Sequence, residues 1–240
     1  MIDTHSPAFA ERLSLLRDRI DQAAKRAHRD PAQITLLPVS KTFGPEIITH
    51  AIAAGLTRFG ENKVQEIRDK ERVLQAHQLE WVLIGHLQTN KAKEVARLVT
   101  EVQSMDRIEL AQALQHRLEL EQRSIDVLIQ VKTAKEPSKF GALPEHVPEL
   151  IDYICTHTPR LHIKGLMTLA THSADPDEVR ECFRSLRLLR DRLLESHYPN
   201  ISLDRLSMGM SGDFELAIAE GSTEIRVGSA LFGTRNYATT

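Results

Sequence analysis

Lys41 directly follows the run Leu36-Leu37-Pro38-Val39-Ser40. A lysine held at the end of a buried apolar segment has a lowered pKa and can condense with an aldehyde to form a Schiff base. The plainer alternative for the same residue is a solvated lysine on a surface loop. Two later segments change the balance. Ser207-Met208-Gly209-Met210-Ser211-Gly212-Asp213 places two glycines and two serines before a stretch with helical periodicity, and Arg226-Val227-Gly228-Ser229 offers a second Gly-Ser pair. Backbone N–H groups around a helix start, with hydroxyls beside them, bind anions. Two such loops with a strand-end lysine point to a phosphorylated aldehyde, its phosphate at the loops and Arg226 near the ring.

Further polar groups follow other apolar runs. Gly60-Glu61-Asn62 is one, and Gly85-His86-Leu87-Gln88-Thr89-Asn90-Lys91 is another. Asn62 and Asn90 each stand before a helical stretch, so either could be a helix cap, a ligand contact or both.

The elements that must position these residues are legible from periodicity. The opening segment Phe9–His28 places Phe9, Leu13, Leu16, Ile20 and Ala24 at spacings of three and four, which predicts an amphipathic helix. Strands are predicted at Thr35–Ser40, Arg58–Gly60, Trp81–Ile84, Val102–Ser104, Asp126–Val131, His162–Met167, Arg205–Ser207 and Glu224–Val227. Helices are predicted between them at Pro45–Ala54, Lys63–His77, Lys91–Leu98, Arg107–Glu121, Pro144–His157, Pro176–Ser196 and Phe214–Glu220. Strict alternation without a Pro/Gly/Ser-rich linker predicts one domain over residues 1–240, a single (β/α)8 barrel with an extra N-terminal helix. An open doubly wound sheet is the alternative. In a barrel the reacting groups lie at the C-terminal ends of the strands, and loops after the seventh and eighth strands commonly take phosphate. Lys41, Asn62, Ser211, Arg226, Gly228 and Ser229 all fall there.

Composition narrows the partners. The 240 residues are 41% hydrophobic and 27% charged, ordinary for a folded domain with a sizeable core. Net charge is −2 from 31 basic and 33 acidic residues, which gives no global field for nucleic acid or an anionic membrane. The segment Met1–Arg12 lacks the pattern of a signal peptide, and no window resembles a membrane span, so a cytoplasmic protein is expected. Cys155 and Cys182 have no CxxC spacing, so they are expected to be buried or half-buried thiols rather than a disulfide or part of a metal site.

The same residues carry a family resemblance. The runs Val39-Ser40-Lys41-Thr42, Phe59-Gly60-Glu61-Asn62, Ile84 to Lys91, Lys139-Phe140-Gly141, Gly165-Leu166-Met167, Leu206 to Ser211 and Gly221 to Gly233 resemble the pyridoxal phosphate homeostasis proteins, in order from about Ile34 to Tyr237. The resemblance implies a barrel related to the N-terminal domain of alanine racemase, with pyridoxal 5′-phosphate as a Schiff base on Lys41. It implies that Ser211, Gly228 and Ser229 hold the phosphate, that Arg226 faces the pyridine nitrogen and that Asn62 lines the ring pocket. Two departures stand out. Phe43-Gly44 replaces the lysine and proline of many relatives, so no second lysine stands there, and Ser229 replaces a threonine while keeping the hydroxyl.

An arginine at the pyridine nitrogen disfavours its protonation and so blunts the electron sink. The function expected is therefore vitamin B6 homeostasis, as a carrier or buffer rather than an enzyme, with apo-enzymes that use the cofactor as potential recipients and a monomer as the simplest state. The alternative is an amino-acid racemase of weak activity. Racemisation by two bases needs a second acid/base group, which alanine racemase takes from a tyrosine of a C-terminal domain. The sequence here runs to Thr240, and only Tyr237 of its three tyrosines is expected near a strand end.

Overall fold

Short β-branched and leucine-rich runs become strands here, and the amphipathic stretches between them become the helices that cover those strands. The structure, a computed structural model, describes residues 9–196, 198 and 201–233; Tyr237 lies outside them. After α1 (Phe9–Arg26) the chain runs β1 (Thr35–Pro38), α2 (Pro45–Ala53), β2 (Arg58–Glu61), α3 (Val64–Leu74), β3 (Glu80–Leu83), α4 (Ala92–Leu98), β4 (Glu101–Met105) and α5 (Ile108–Leu120). It continues with β5 (Ile125–Gln130), α6 (Val147–His157), β6 (Leu161–Met167), α7 (Pro176–Glu195), β7 (Arg205–Ser207), α8 (Phe214–Ala219), β8 (Glu224–Val227) and α9 (Ser229–Phe232).

The eight strands form one parallel sheet in the order β1-β8-β7-β6-β5-β4-β3-β2. Its two ends meet, because Val39 bridges Gly60 and the Ser40 N–H donates to the Gly60 carbonyl at 3.0 Å. The result is a (β/α)8 barrel with an N-terminal helix, a closed architecture that leaves no exposed strand edge. Phe59, Trp81, Leu110, Phe183 and Phe214 are fully buried in the main apolar core. The extra helix α1 buries Leu13, Leu16 and Ile20 and packs on α8 and α9. Arg12 donates to the Leu231 carbonyl at 2.8 Å, and Arg29 to those of Ile218 and Ser222 at 2.9 and 2.6 Å. It thereby braces the segments that follow β7 and β8.

Boundaries differ from expectation for local reasons. Regular β1 pairing ends at Pro38; beyond it the Val39 N–H still bonds Val227 of β8, while Val39 and Ser40 pair with Gly60 of β2. Single 3₁₀ turns at Gln75–His77 and Pro144–His146 occupy residues that periodicity assigned to α3 and α6, and the turn Thr89–Lys91 takes Lys91 from the expected start of α4. The helix α9 has four residues, too few for a periodic signal. Both cysteines are free; Cys182 is buried, but Cys155 is exposed because it lies on the outward face of α6.

The barrel interior is unusual. Such interiors are commonly filled by branched aliphatic side chains, but here the first residues of four strands, Arg58, Glu101, Arg205 and Glu224, meet. Arg58 bonds Glu101 at 2.8 Å and Glu224 at 2.7 Å, and Arg205 pairs with Glu101. Glu224 ionises below the usual glutamate range, because the Arg58 and Arg205 guanidinium groups outweigh the burial that alone would raise it. This floor is charge-balanced, two against two.

Candidate functional site

Lys41 leaves the end of β1 on a tight turn that the neighbouring elements hold from both sides. The Ser40 N–H bonds Gly60 of β2, and the Phe43 N–H closes the turn on the Ser40 carbonyl at 3.1 Å. The Ser40 hydroxyl donates to Glu61 at 2.6 Å, and the buried Lys70 amine of α3 donates to the Ser40 carbonyl at 2.8 Å and pairs with Glu61. On the other side of Lys41, the Thr42 N–H donates to Glu66 at 2.7 Å, and Thr42 takes a left-handed φ of 69°. Burial pushes the Glu61 carboxyl up, against the pull of Lys70. Lys41 itself is half-buried and has bonded neighbours. Two side chains of one helix thus fix the backbone immediately before and after it.

The loops after β7 and β8 come together beside that turn. The Ala230 N–H lies 3.5 Å from the Ser211 hydroxyl. The Arg226 N–H bonds the Gly209 carbonyl, and the Val39 N–H bonds that of Val227, at 3.0 and 2.9 Å. At Gly228 a Cβ would stand 3.0 Å from the Val39 carbonyl oxygen, so a bare backbone lets this loop lie against the end of β1. Phe43, two residues past Lys41, packs its ring 5.2 Å from Phe232 of α9. Arg226 is 2% exposed and donates to the Ser207 hydroxyl and the Thr168 carbonyl, both at 2.7 Å. Burial lowers its pKa to about 10, with Glu224 and Asp213 opposing, so the guanidinium stays charged at neutral pH.

One part of the anion-site expectation is corrected. The Asp213 and Phe214 N–H groups ahead of α8 both bond the Met210 carbonyl, and the Met210 N–H bonds the Asp213 carboxylate at 2.5 Å. Those amides are spent inside the loop, and α8 and α9, with six and four residues, are too short for a large dipole. What remains for an anion is the Ser211 and Ser229 hydroxyls and the Ser229 N–H, because the Leu231 and Phe232 N–H groups bond the Gly228 carbonyl and that of Ala230 lies on Ser211.

Asn62 stands at the end of β2, across β1 from these loops. It does not cap α3, whose start at Val64 has no side-chain cap, and Asn90 lies inside a 3₁₀ turn rather than capping α4. Gly85 lies so close to the Asn62 backbone that a Cβ would stand 2.2 Å from its carbonyl oxygen. Between the two loops is a cavity of about 540 Å³, lined by Asn62, Leu83, His86, Gln88 and Lys91 among others. The Lys139-Phe140-Gly141 run reaches it from the loop after β5, where the exposed Phe140 ring stacks on His86 at 3.8 Å.

Residues 12–236 match the alanine racemase N-terminal domain. A pyridoxal phosphate homeostasis protein of Aquifex aeolicus is 44% identical over 227 residues, covering 95% of this chain and 98% of that one. Another from Pseudomonas aeruginosa is 40% identical over 229 residues, covering 95% and 96%. The chain belongs to the pyridoxal phosphate homeostasis protein family. Among solved structures, PipY of Synechococcus elongatus with pyridoxal phosphate bound superposes with a TM-score of 0.80 at 35% identity, over 94% of this chain and 100% of that one.

Within this homeostasis-family chain, residue types and spacing singled out the strand-end groups but missed those that hold them. Glu61 and Lys70 are nine residues apart on different elements. Gln103 and Ser207, which reach Arg226 from the lumen, are 104 residues apart. No local pattern pairs them. The usable signal was weaker: Gln103 sits two residues after Glu101, so alternation along β4 puts two polar residues on one face.

Proposed function

We propose that this protein binds pyridoxal 5′-phosphate at the barrel mouth, between the C-terminal ends of β1, β2, β7 and β8, and serves in vitamin B6 homeostasis. The residues present fit such a group: an amine at Lys41, the Ser211 and Ser229 hydroxyls and the Ser229 amide for a dianion, and a buried cation between them. When bound, that group supplies an aldehyde and an electron-withdrawing ring. Lys41 would hold it as a Schiff base, its amine condensing with the aldehyde carbon with loss of one water. Ser211, Gly228 and Ser229 hold the phosphate by hydroxyls and amides, Asn62 lines the ring pocket, and Arg226 faces the pyridine nitrogen. The observation that carries the reading is Arg226, a buried guanidinium that donates to two neutral acceptors, the Ser207 hydroxyl and the Thr168 carbonyl, and is set beside the paired loops.

A permanent cation at that position keeps the ring nitrogen unprotonated and removes much of the driving force for carbanion chemistry. The protein is therefore a cytoplasmic, monomeric carrier or buffer for a reactive aldehyde, with apo-enzymes that use the cofactor as recipients, rather than a racemase. The test is an absorbance spectrum of the purified protein before and after borohydride, with mass mapping of the reduced adduct. A yellow protein whose adduct maps to Lys41 is expected; an adduct mainly on Lys91 or Lys139 overturns the assignment. Exchange of the α-proton of L-alanine in deuterated water is expected to stay well below about 1 per second.

A further inference from the structure

We propose that Gln103 and Ser207 are positioning residues that keep the full charge of Arg226 available to the ring, with Gln103 acting as a neutral spacer between Arg226 and the carboxylates of the barrel floor. This rests on the reading that Arg226 faces the cofactor. The argument starts from the floor. The Gln103 amide nitrogen donates to Glu224 at 2.5 Å and to Glu101 at 2.8 Å. Ionised carboxylates accept and cannot donate, so the amide has one permitted orientation, with its oxygen turned away from them. That oxygen accepts from the Ser207 hydroxyl at 2.8 Å. Having spent its proton there, Ser207 offers only lone pairs to its other neighbour, and Arg226 donates to them at 2.7 Å.

The direction of every bond in this chain is thus dictated from the floor upward. Its electrostatic consequence is specific. Arg58 and Arg205 already balance Glu101 and Glu224. Among the described residues Arg226 hydrogen-bonds a hydroxyl and a carbonyl; the Glu224 and Asp213 carboxylates attract it only at longer range, Glu224 from behind Gln103 and Asp213 while bonding the Met210 amide. A direct carboxylate partner would cancel much of the guanidinium's field; a serine and a glutamine in its place do not.

The experiment follows the visible absorbance of the reconstituted holo-protein against pH, with dissociation constants and apo-protein melting curves in parallel, for Arg226→Gln, Gln103→Glu, Ser207→Ala and Ser207→Thr. Gln103→Glu brings a carboxylate within one serine of Arg226, so the cofactor's spectral transition is expected to move up by roughly one pH unit, the scale of one added charge at this range in a protein interior. Ser207→Ala is expected to weaken cofactor binding about tenfold, the worth of one charge-assisted hydrogen bond, and Ser207→Thr, which keeps the hydroxyl, to restore it. An unchanged spectrum in Arg226→Gln overturns the underlying reading and the proposal with it. A changed spectrum in Arg226→Gln alongside unchanged spectra and affinities in Gln103→Glu and Ser207→Ala overturns only the spacer role. Should Gln103→Glu fail to fold, the Ser207 pair decides: loss in the alanine variant that threonine does not rescue sinks the proposal.

Discussion

The floor and the mouth of this barrel are built on opposite electrostatic principles from the same strands. At the floor, Arg58, Arg205, Glu101 and Glu224 satisfy one another, and Gln103 fills the remaining acceptor sites. At the mouth, Arg226 donates to neutral acceptors among the described residues, and the Lys41 turn is held through its backbone by Lys70 and Glu66. A self-satisfied cluster can only stabilise, whereas groups left partly uncommitted can bind. The strand starts therefore do structural work and the strand ends present chemistry, which is the division this fold generally shows.

The most disruptive way to break that division is to remove one floor carboxylate. Glu224→Ala leaves Glu101 alone against the Arg58 and Arg205 guanidinium groups, and uncompensated buried charge costs about 3 to 5 kcal/mol. A fall in melting temperature of roughly 10 to 15 °C is expected, with cofactor stoichiometry retained well below the transition. A loss under about 1 kcal/mol would show that the floor is not a structural cluster. The same residue sets an acid limit. Its folded pKa lies below the ordinary 4.5, so its contribution is fully present above about that pH and is lost as pH falls through the folded value. Wild-type urea curves at pH 7 and below pH 4 should converge on those of Glu224→Gln only at the acid end.

Lys70→Met tests the mouth in the same way. Methionine keeps the volume but strands the buried Glu61 carboxyl and the Ser40 carbonyl, so a loss of about 3 kcal/mol is expected, smaller than at the floor because Glu61 can protonate. Unlike the floor variant, it should also slow Schiff-base formation, since it loosens the backbone next to Lys41; an unaltered rate of colour development would separate stability from positioning. Lys41→Ala completes the contrast. This half-buried residue is expected to change stability by no more than about 0.5 kcal/mol while abolishing the borohydride-trapped adduct.

The difference between floor and mouth also explains what the sequence could disclose. The eight strands were legible because alternation of apolar runs with amphipathic stretches is a local signal; Lys41, Asn62, Arg226, Gly228 and Ser229 stood out as candidates because each lies at or near the end of a strand, and Ser211 because it lies in the loop after β7. The floor was hidden because its members are the first residues of four separate strands, and Gln103 and Glu224 are 121 residues apart. The clamp on Lys41 was hidden because Lys70 looks like any helix lysine until Glu61 is placed under it. The α8 start looked like an anion site because Gly, Ser and Asp suit one. Only the fold shows that Asp213 and the Met210 carbonyl take those amides for the loop itself.

The smallest expected effect asks whether the mouth is one body or several loops. Phe43 follows the Lys41 turn, and its ring lies 5.2 Å from Phe232, which in turn lies 5.6 Å from Phe9 of α1. A row of three aromatic rings therefore ties the Lys41 turn to α9 and to the N-terminal helix behind it. Tilted pairs of this kind contribute about 0.5 to 1.5 kcal/mol beyond area burial. Phe43 is only partly buried, so Phe43→Ala should cost about 1 kcal/mol in stability, less than a core phenylalanine. If the turn and the helix move as one body, the same variant weakens pyridoxal 5′-phosphate, because amine and phosphate site lose their fixed separation, and barely affects pyridoxal, which uses the amine alone. If the loops are independent, both ligands weaken equally or not at all. Calorimetric titration of both ligands against wild type and Phe43→Ala distinguishes the two, and a phosphate-dependent loss of about fivefold is the expected outcome, equivalent to roughly 1 kcal/mol.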